Sequence, residues 1–231
     1  MTEIPLYAVG LCLVPTLAVA WISLKWSGSA SEIAIATGRM LVQLLAAGFF
    51  LAFLFSSQNV LIGILVVCAM IGVSSMIGIR TVKQDRKRAF RRALLAIGIG
   101  GSFVLVFVLY AVLGLNDPIY QPRIIIPLAG MIFSNAMTAV TLAADRYERE
   151  TDMGLGYVEA RNMAWGAALI PQINALLAVG LVSLPGMMTG QILAGVDPLV
   201  AVRYQIVVMA MVLQSAGFSV AIYLHLCRPK R

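Results

Sequence analysis

Residues 40–79, MLVQLLAAGFFLAFLFSSQNVLIGILVVCAMIGVSSMIGI, contain no Asp, Glu, Lys or Arg. As one helix this run would extend ~60 Å at ~1.5 Å per residue, about twice the hydrocarbon thickness of a bilayer. It therefore reads as two crossings, reversed at the polar step Ser56, Ser57, Gln58 and Asn59. In lipid every backbone N–H and C=O needs an internal partner, so both crossings are expected to be helical. The alternation of polar and apolar residues that marks a membrane β-barrel is absent. This stretch sets the expected class: an all-α, polytopic membrane helix bundle.

Working outward, further charge-free runs complete the bundle. Spans are expected at about 4–24, 40–55, 60–79, 93–115, 124–144, 163–184 and 204–227, seven in a single transmembrane domain over 1–231. Asn116, Asp117 and Pro118 are expected to stop the fourth span, and Pro185-Gly186 the sixth. Composition agrees: 61% of the residues are hydrophobic and 12% charged, too little polar surface for a soluble domain of this length. The first run is expected to remain a span rather than a cleaved leader, because Glu3 and no basic residue precede it.

The basic residues give the direction. Seven lie in residues 80–92: Arg80, Lys83, Arg86, Lys87, Arg88, Arg91 and Arg92. Arg146, Arg149, Arg161, Arg228, Lys230, Arg231, Lys25 and Arg39 join them on one face if seven spans are threaded. Only Arg123 and Arg203 fall on the other. The positive-inside bias then places the N-terminus outside and the C-terminus in the cytoplasm of a cell (inner or plasma) membrane. The net charge of +7 is thus read as topology and contact with lipid headgroups through residues 80–92, not as nucleic-acid binding.

No ionisable residue lies in the middle of any expected span. Ion-coupled carriers place such groups there, and a phosphate-binding GxxxxGK[ST] loop is missing too, so no energy source is evident within the chain. Cys12, Cys68 and Cys227 are scattered and His225 is the only histidine, so a metal cluster in one chain is not expected. The three cysteines read as small packing residues. Clustered carboxylates suited to Ca²⁺ or Mg²⁺ are also absent. Neither paired carboxylates nor a Ser–His arrangement suggests an enzyme.

Polar residues do occur at membrane depth. Ser134, Asn135 and Thr138 lie together, Ser134 and Thr138 on one helix face. Gln172 and Asn174 follow Pro171, while Met187, Met188, Thr189 and Gln191 follow Pro185-Gly186. Gln205 and Gln214 lie in the last span. Each alone reads as an interhelical hydrogen bond or a packing methionine. As a group beside helix-breaking prolines they suit a translocation path. Thioethers favour Cu(I) over hard cations, so Met187 and Met188 are also weighed as a transient metal contact. Residues 184–195 are expected to form a short re-entrant or extracellular helix pair.

Residues 145–161, DRYERETDMGLGYVEAR, interrupt the apolar pattern with charge and glycine. They are expected to form one or two short helices parallel to the membrane, since Gly154 and Gly156 weaken a continuous helix. Met153 and Tyr157 would make an apolar knob, and Asp145, Glu148, Asp152 and Glu159 an acidic face.

Glu150, Leu155-Gly156, Ala160 and Ile170-Pro171 resemble the EAA-type coupling loop of ABC-transporter membrane subunits, with Thr151 and Asp152 where that loop has alanines. GMIFSNAMTAVTLAADR (130–146) and ALIPQINALLAVGLVSLPGMMTGQILAGVDPLVAVRYQIVVM (168–209) resemble the FetB-type iron-export ABC permease family, whose plant relatives are linked to aluminium tolerance. The resemblance spans essentially the whole chain. It implies a permease homodimer bound to two copies of a separate cytoplasmic ATPase, which carries the ATP and Mg; this chain would bind no cofactor. It also implies that Glu148, Glu150, Asp152, Met153, Leu155, Gly156, Tyr157, Glu159 and Arg161 contact that ATPase. Three alternatives stand beside it: transport of a small organic solute or metal chelate, a passive channel or facilitator, and a scaffold anchoring a cytoplasmic enzyme.

Overall fold

The computed structural model describes residues 5–26, 30–56, 59–115 and 120–229. Among these, the regular elements are helices: α1 Leu6–Trp26, α2 Ala30–Ser56, α3 Val60–Gly78, α4 Arg86–Phe107, α5 Pro122–Asp152, α6 Tyr157–Ala178, α7 Gly186–Leu193 and α8 Pro198–Leu226. A π-helical turn, Val108–Val112, follows α4 directly. The expected stop at Asn116, Asp117 and Pro118 lies outside the described residues, as do Glu3, Ser57, Gln58, Lys230 and Arg231. Cys12, Cys68 and Cys227 are free thiols.

Six helices are long and apolar enough to cross a membrane: α1, α2, α3, α4 with its π turn, α5 and α8. The seventh expected crossing falls on α6, which does not join that set. It begins at Tyr157, carries Glu159, Arg161 and Asn162 in its first two turns, and ends at Ala178 rather than at 184. Four other helices, α2, α4, α5 and α8, outrun their expected spans by six residues or more. α2 starts at Ala30 and passes through Glu32 and Arg39. α5 runs 31 residues to Asp152, because nothing after Ala144 breaks a helix until Gly154. The basic segment 80–92 is part loop and part helix, with α4 starting at Arg86.

The chain divides into two compact units, Met1–Ser56 and Ser57–Arg231. In the first, α1 packs against α2. In the second, α4, α5 and α8 pack on one another as the central trio, with α3 against α4 and α5, α6 against α5 and α8, and α7 against α8. Lipid tails are as apolar as leucine, so helix association relies on close packing of small residues rather than on a hydrophobic driving force. The core fits this rule: Ala93, Ala96, Ala129, Ala136, Ala139, Ala143, Ala164, Ala168 and Ala216 are all buried. Two glycines on α4 allow close approaches to its neighbours. A Cβ on Gly100 would stand 2.9 Å from the Ser219 backbone nitrogen on α8, and one on Gly101 2.7 Å from the Phe133 ring on α5.

Candidate functional site

The α5–α6 connection is a turn over residues 153–156. Gly154 holds it at φ +88°, a left-handed value that side chains resist. The Gly154 amide donates to Thr151 O (3.0 Å) and the Leu155 amide to Glu150 O (3.1 Å). The segment 145–161 is therefore the ends of two long helices and a tight turn, not short helices along the membrane. Met153 stands 73% exposed at its tip, with Val158 and Glu159 also exposed.

Hydrogen bonds fasten this turn to its neighbours. The Glu148 carboxylate accepts from the backbone amides of Lys83 (3.1 Å) and Gln84 (2.8 Å), just ahead of α4. The Gln84 side-chain amide donates to Asp152 Oδ1 at 3.0 Å. Tyr147 Oη donates to Cys227 O (3.3 Å) and Tyr157 Oη to Leu224 O (3.0 Å), both at the end of α8. The two tyrosine rings meet edge to face, centroids 6.3 Å apart. Arg92 Nη1 lies 3.7 Å from Cys227 Sγ. Burial pushes the Cys227 thiol up, against the opposing pull of that guanidinium.

Several residues expected on the docking face are thus engaged within the chain itself. Glu150 is buried and paired with Arg146 (2.6 Å), and Asp145 pairs with Arg149 (3.1 Å). Tyr157 is half-buried, its ring 5.8 Å from the Arg161 guanidinium, which also bonds Asn162 Oδ1 at 2.9 Å. Leu155 is half-buried and Gly156 precedes α6 as its N-cap. Sequence spacing cannot tell an outward carboxylate from one that caps a neighbouring loop 64 residues away.

The polar group expected at membrane depth lies on α5 and α6. Ser134 Oγ donates to Met131 O (3.2 Å), Asn135 Nδ2 to Met131 O (2.8 Å), Thr138 Oγ1 to Ser134 O (3.0 Å) and Thr141 Oγ1 to Met137 O (2.8 Å). Gln172 is buried and its Nε2 reaches Asn135 Oδ1 on α5 at 3.4 Å. Ser134 and Thr138 remain on an exposed helix face, and so does Asn174 on α6.

At the opposite end of this unit from the turn, α5, α7 and α8 enclose a cavity of about 470 Å³. Met187 and Gln191 line it, with Arg123, Pro127, Met131 and Tyr204 among mostly aliphatic walls. Gln191 Oε1 is buried there without a hydrogen-bond partner. Thr189 Oγ1 instead bonds back to Pro185 O (3.1 Å), and Met188 is half-buried outside the cavity lining. One short helix, α7, occupies the region where a helix pair is expected. Sequence reasoning missed Met131, Arg123 and Tyr204. The available signal was Met131, one turn before Ser134 and Asn135, whose carbonyl takes both of their bonds. Among the described residues, no three His, Cys, Asp or Glu side chains come together.

Comparison with known proteins yields relatives along most of the chain. A UPF0014 membrane protein of Synechocystis is 35% identical over 82% of this chain and 80% of its own. The probable iron export permease protein FetB of Escherichia coli is 34% identical, over 84% and 79%. Protein ALUMINUM SENSITIVE 3 of Arabidopsis thaliana is 32% identical, over 86% and 76%. No solved structure matches. With its apolar helices and these relatives, the chain is a multi-pass membrane protein. The profile of UPF0014, described as an uncharacterised protein family, matches residues 5–230, and the chain belongs to that family.

Proposed function

We propose that this chain is the permease subunit of an ATP-driven transporter that exports iron or another metal ion. Two copies pair in the inner or plasma membrane, and a separate cytoplasmic ATPase carries the ATP and Mg. One observation carries the reading. The turn over residues 153–156 exposes Met153, while Glu148, Tyr147 and Tyr157 tie its flanks to the start of α4 and the end of α8. Force applied to the turn is thereby passed to three packed helices at once. The name of the E. coli relative supports the metal assignment.

In this reading α6 is the seventh crossing. It runs antiparallel along α5, touching it at Tyr157–Tyr147 near one end and at Gln172–Asn135 in the middle. The turn, residues 80–92 and the α8 end then share the cytoplasmic face, with lipid headgroups around the basic residues.

The test is co-purification and reconstitution with the cognate ATPase. Met153→Asp with Glu159→Lys alters exposed groups only and is expected to abolish complex formation and ATP-driven transport. An intact complex with unchanged transport would overturn the coupling role. A second reading, transport of a small organic solute or metal chelate, draws on the mostly aliphatic lining of the 470 Å³ cavity. Stimulation of ATP hydrolysis by an organic ligand, with none by Fe(II) or Fe(III), would favour it over metal-ion export.

A further inference from the structure

Between α4 and the end of α8 lies a second groove, about 750 Å³, that the coupling turn does not use. Arg88, Arg91, Arg92 and Arg228 line it, with Leu95 and Leu226 among its apolar residues and, among the described residues, no carboxylate. Arg88 has Asp85 at 3.1 Å and Arg92 has the neutral Cys227 thiol, which burial holds protonated. Three guanidinium charges there have no ion-pair partner among the described residues. The helix start compounds this excess. The N-terminal end of a helix carries positive partial charge and favours anions, yet α4 has no acidic residue in its first turn and opens with Arg86, Lys87 and Arg88.

Below the arginines the same helix face turns apolar. Leu95, Ile99, Phe103 and Val106 follow at steps of three or four residues, each more than half exposed. They extend ~17 Å along α4, about the depth of one leaflet of hydrocarbon. Phe218 of α8 borders the stripe, its ring 5.5 Å from Phe103 and edge-on. Beneath, the Gly100–Ser219 approach closes the seam, so an occupant lies on the groove rather than between the helices.

We propose that this groove is a binding site for an anionic phospholipid, with the phosphate held by Arg91, Arg92 and Arg228 and one acyl chain laid along Leu95, Ile99 and Phe103. The combination selects the occupant. A soluble acidic protein meets the guanidinium groups but not a stripe at membrane depth. A second copy of this chain, paired symmetrically on the groove, sets the same arginines against each other. The site is independent of the transport reading: it requires only that α4 and α8 span the bilayer.

Native mass spectrometry of the full-length protein in detergent, titrated with phosphatidylglycerol or phosphatidylcholine of the same acyl chains, tests it. Phosphatidylglycerol is expected to be retained preferentially. Arg91→Gln with Arg228→Gln should lower that retention about thirtyfold, the loss of two guanidinium–headgroup contacts. Arg86→Gln with Lys87→Gln removes equal charge from residues that do not line the groove, and should lower retention far less, through diffuse attraction alone. Equal losses in the two double variants would mean diffuse surface attraction and overturn the site. So would equal retention of the two lipids, or displacement of phosphatidylglycerol by millimolar inorganic phosphate, which would assign the arginines to a soluble anion. Size-exclusion profiles matching wild type establish that both variants are folded.

Discussion

At Gly100 a single methyl group would meet the Ser219 backbone, which cannot rotate away as a side chain can. Gly100→Ala is therefore expected to destabilise the α4–α8 contact by about 1–3 kcal/mol, the usual cost of overpacking. Gly98 sits two residues away on the same helix, where a Cβ would meet Ile71 at an ordinary 3.5 Å. Gly98→Ala should stabilise by up to about 1 kcal/mol through helix propensity alone. Thermal unfolding of both variants in one detergent checks the opposite signs. Cys227 supports a chemical prediction. Its raised pKa means less thiolate at a given pH, and its burial blocks reagent, so alkylation between pH 7 and 8 should be slow until the protein is unfolded. Peptide mass analysis reads this directly. Reading the cysteines as small packing residues fits buried Cys227; Cys12 and Cys68 sit on exposed helix faces instead. Composition contains no information about which face of an apolar helix turns inward.

The α5–α6 hairpin shows what is legible at the scale of an element. Gly154 and Gly156 announce a break, and the break is there. That α5 continues eight residues past Ala144 was hidden, because a helix leaving the bilayer needs no sequence signal to continue. The roles of its carboxylates were hidden too. Glu148 looked outward by spacing but accepts two backbone amides of the α3–α4 connection. Glu148→Ala leaves those amides without their acceptor and should cost about 1–3 kcal/mol locally. Hydrogen exchange at Lys83 and Gln84 is expected to speed up accordingly, with the core of α5 unchanged. Gly154→Ala forces a side chain into the left-handed region at a cost of about 1–2 kcal/mol, and should loosen the same amides less than Glu148→Ala does. The reverse order would mean that the turn conformation, not the carboxylate, holds the two helices.

Across the whole molecule, all-helical membrane architecture followed from where charge is absent, since every backbone group in lipid must bond within its own segment. The number of crossings followed less well. α6, at 22 residues, is long enough to cross, but it mixes Glu159, Arg161, Gln172 and Asn174 with its apolar residues, and its most apolar stretch is less apolar than those of the other six. Sidedness offers a test. Within the unit Ser57–Arg231, hydrogen bonds bring the α3–α4 connection, the α5–α6 turn and the α8 end together. Single cysteines at Lys83, Met153 and Arg228, in a background lacking the native thiols, should label from the same side of sealed vesicles, and cysteines at Arg123 and Arg203 from the other. One further consequence follows from the bonds along α5. Ser134, Thr138 and Thr141 each direct their hydroxyl hydrogen back to a carbonyl of the same helix. What the exposed hydroxyls of Ser134 and Thr138 present outward is oxygen lone pairs and no donor. An uncharged patch of this kind offers acceptors alone, and would favour a cation or a hydrogen-bond donor over an anion.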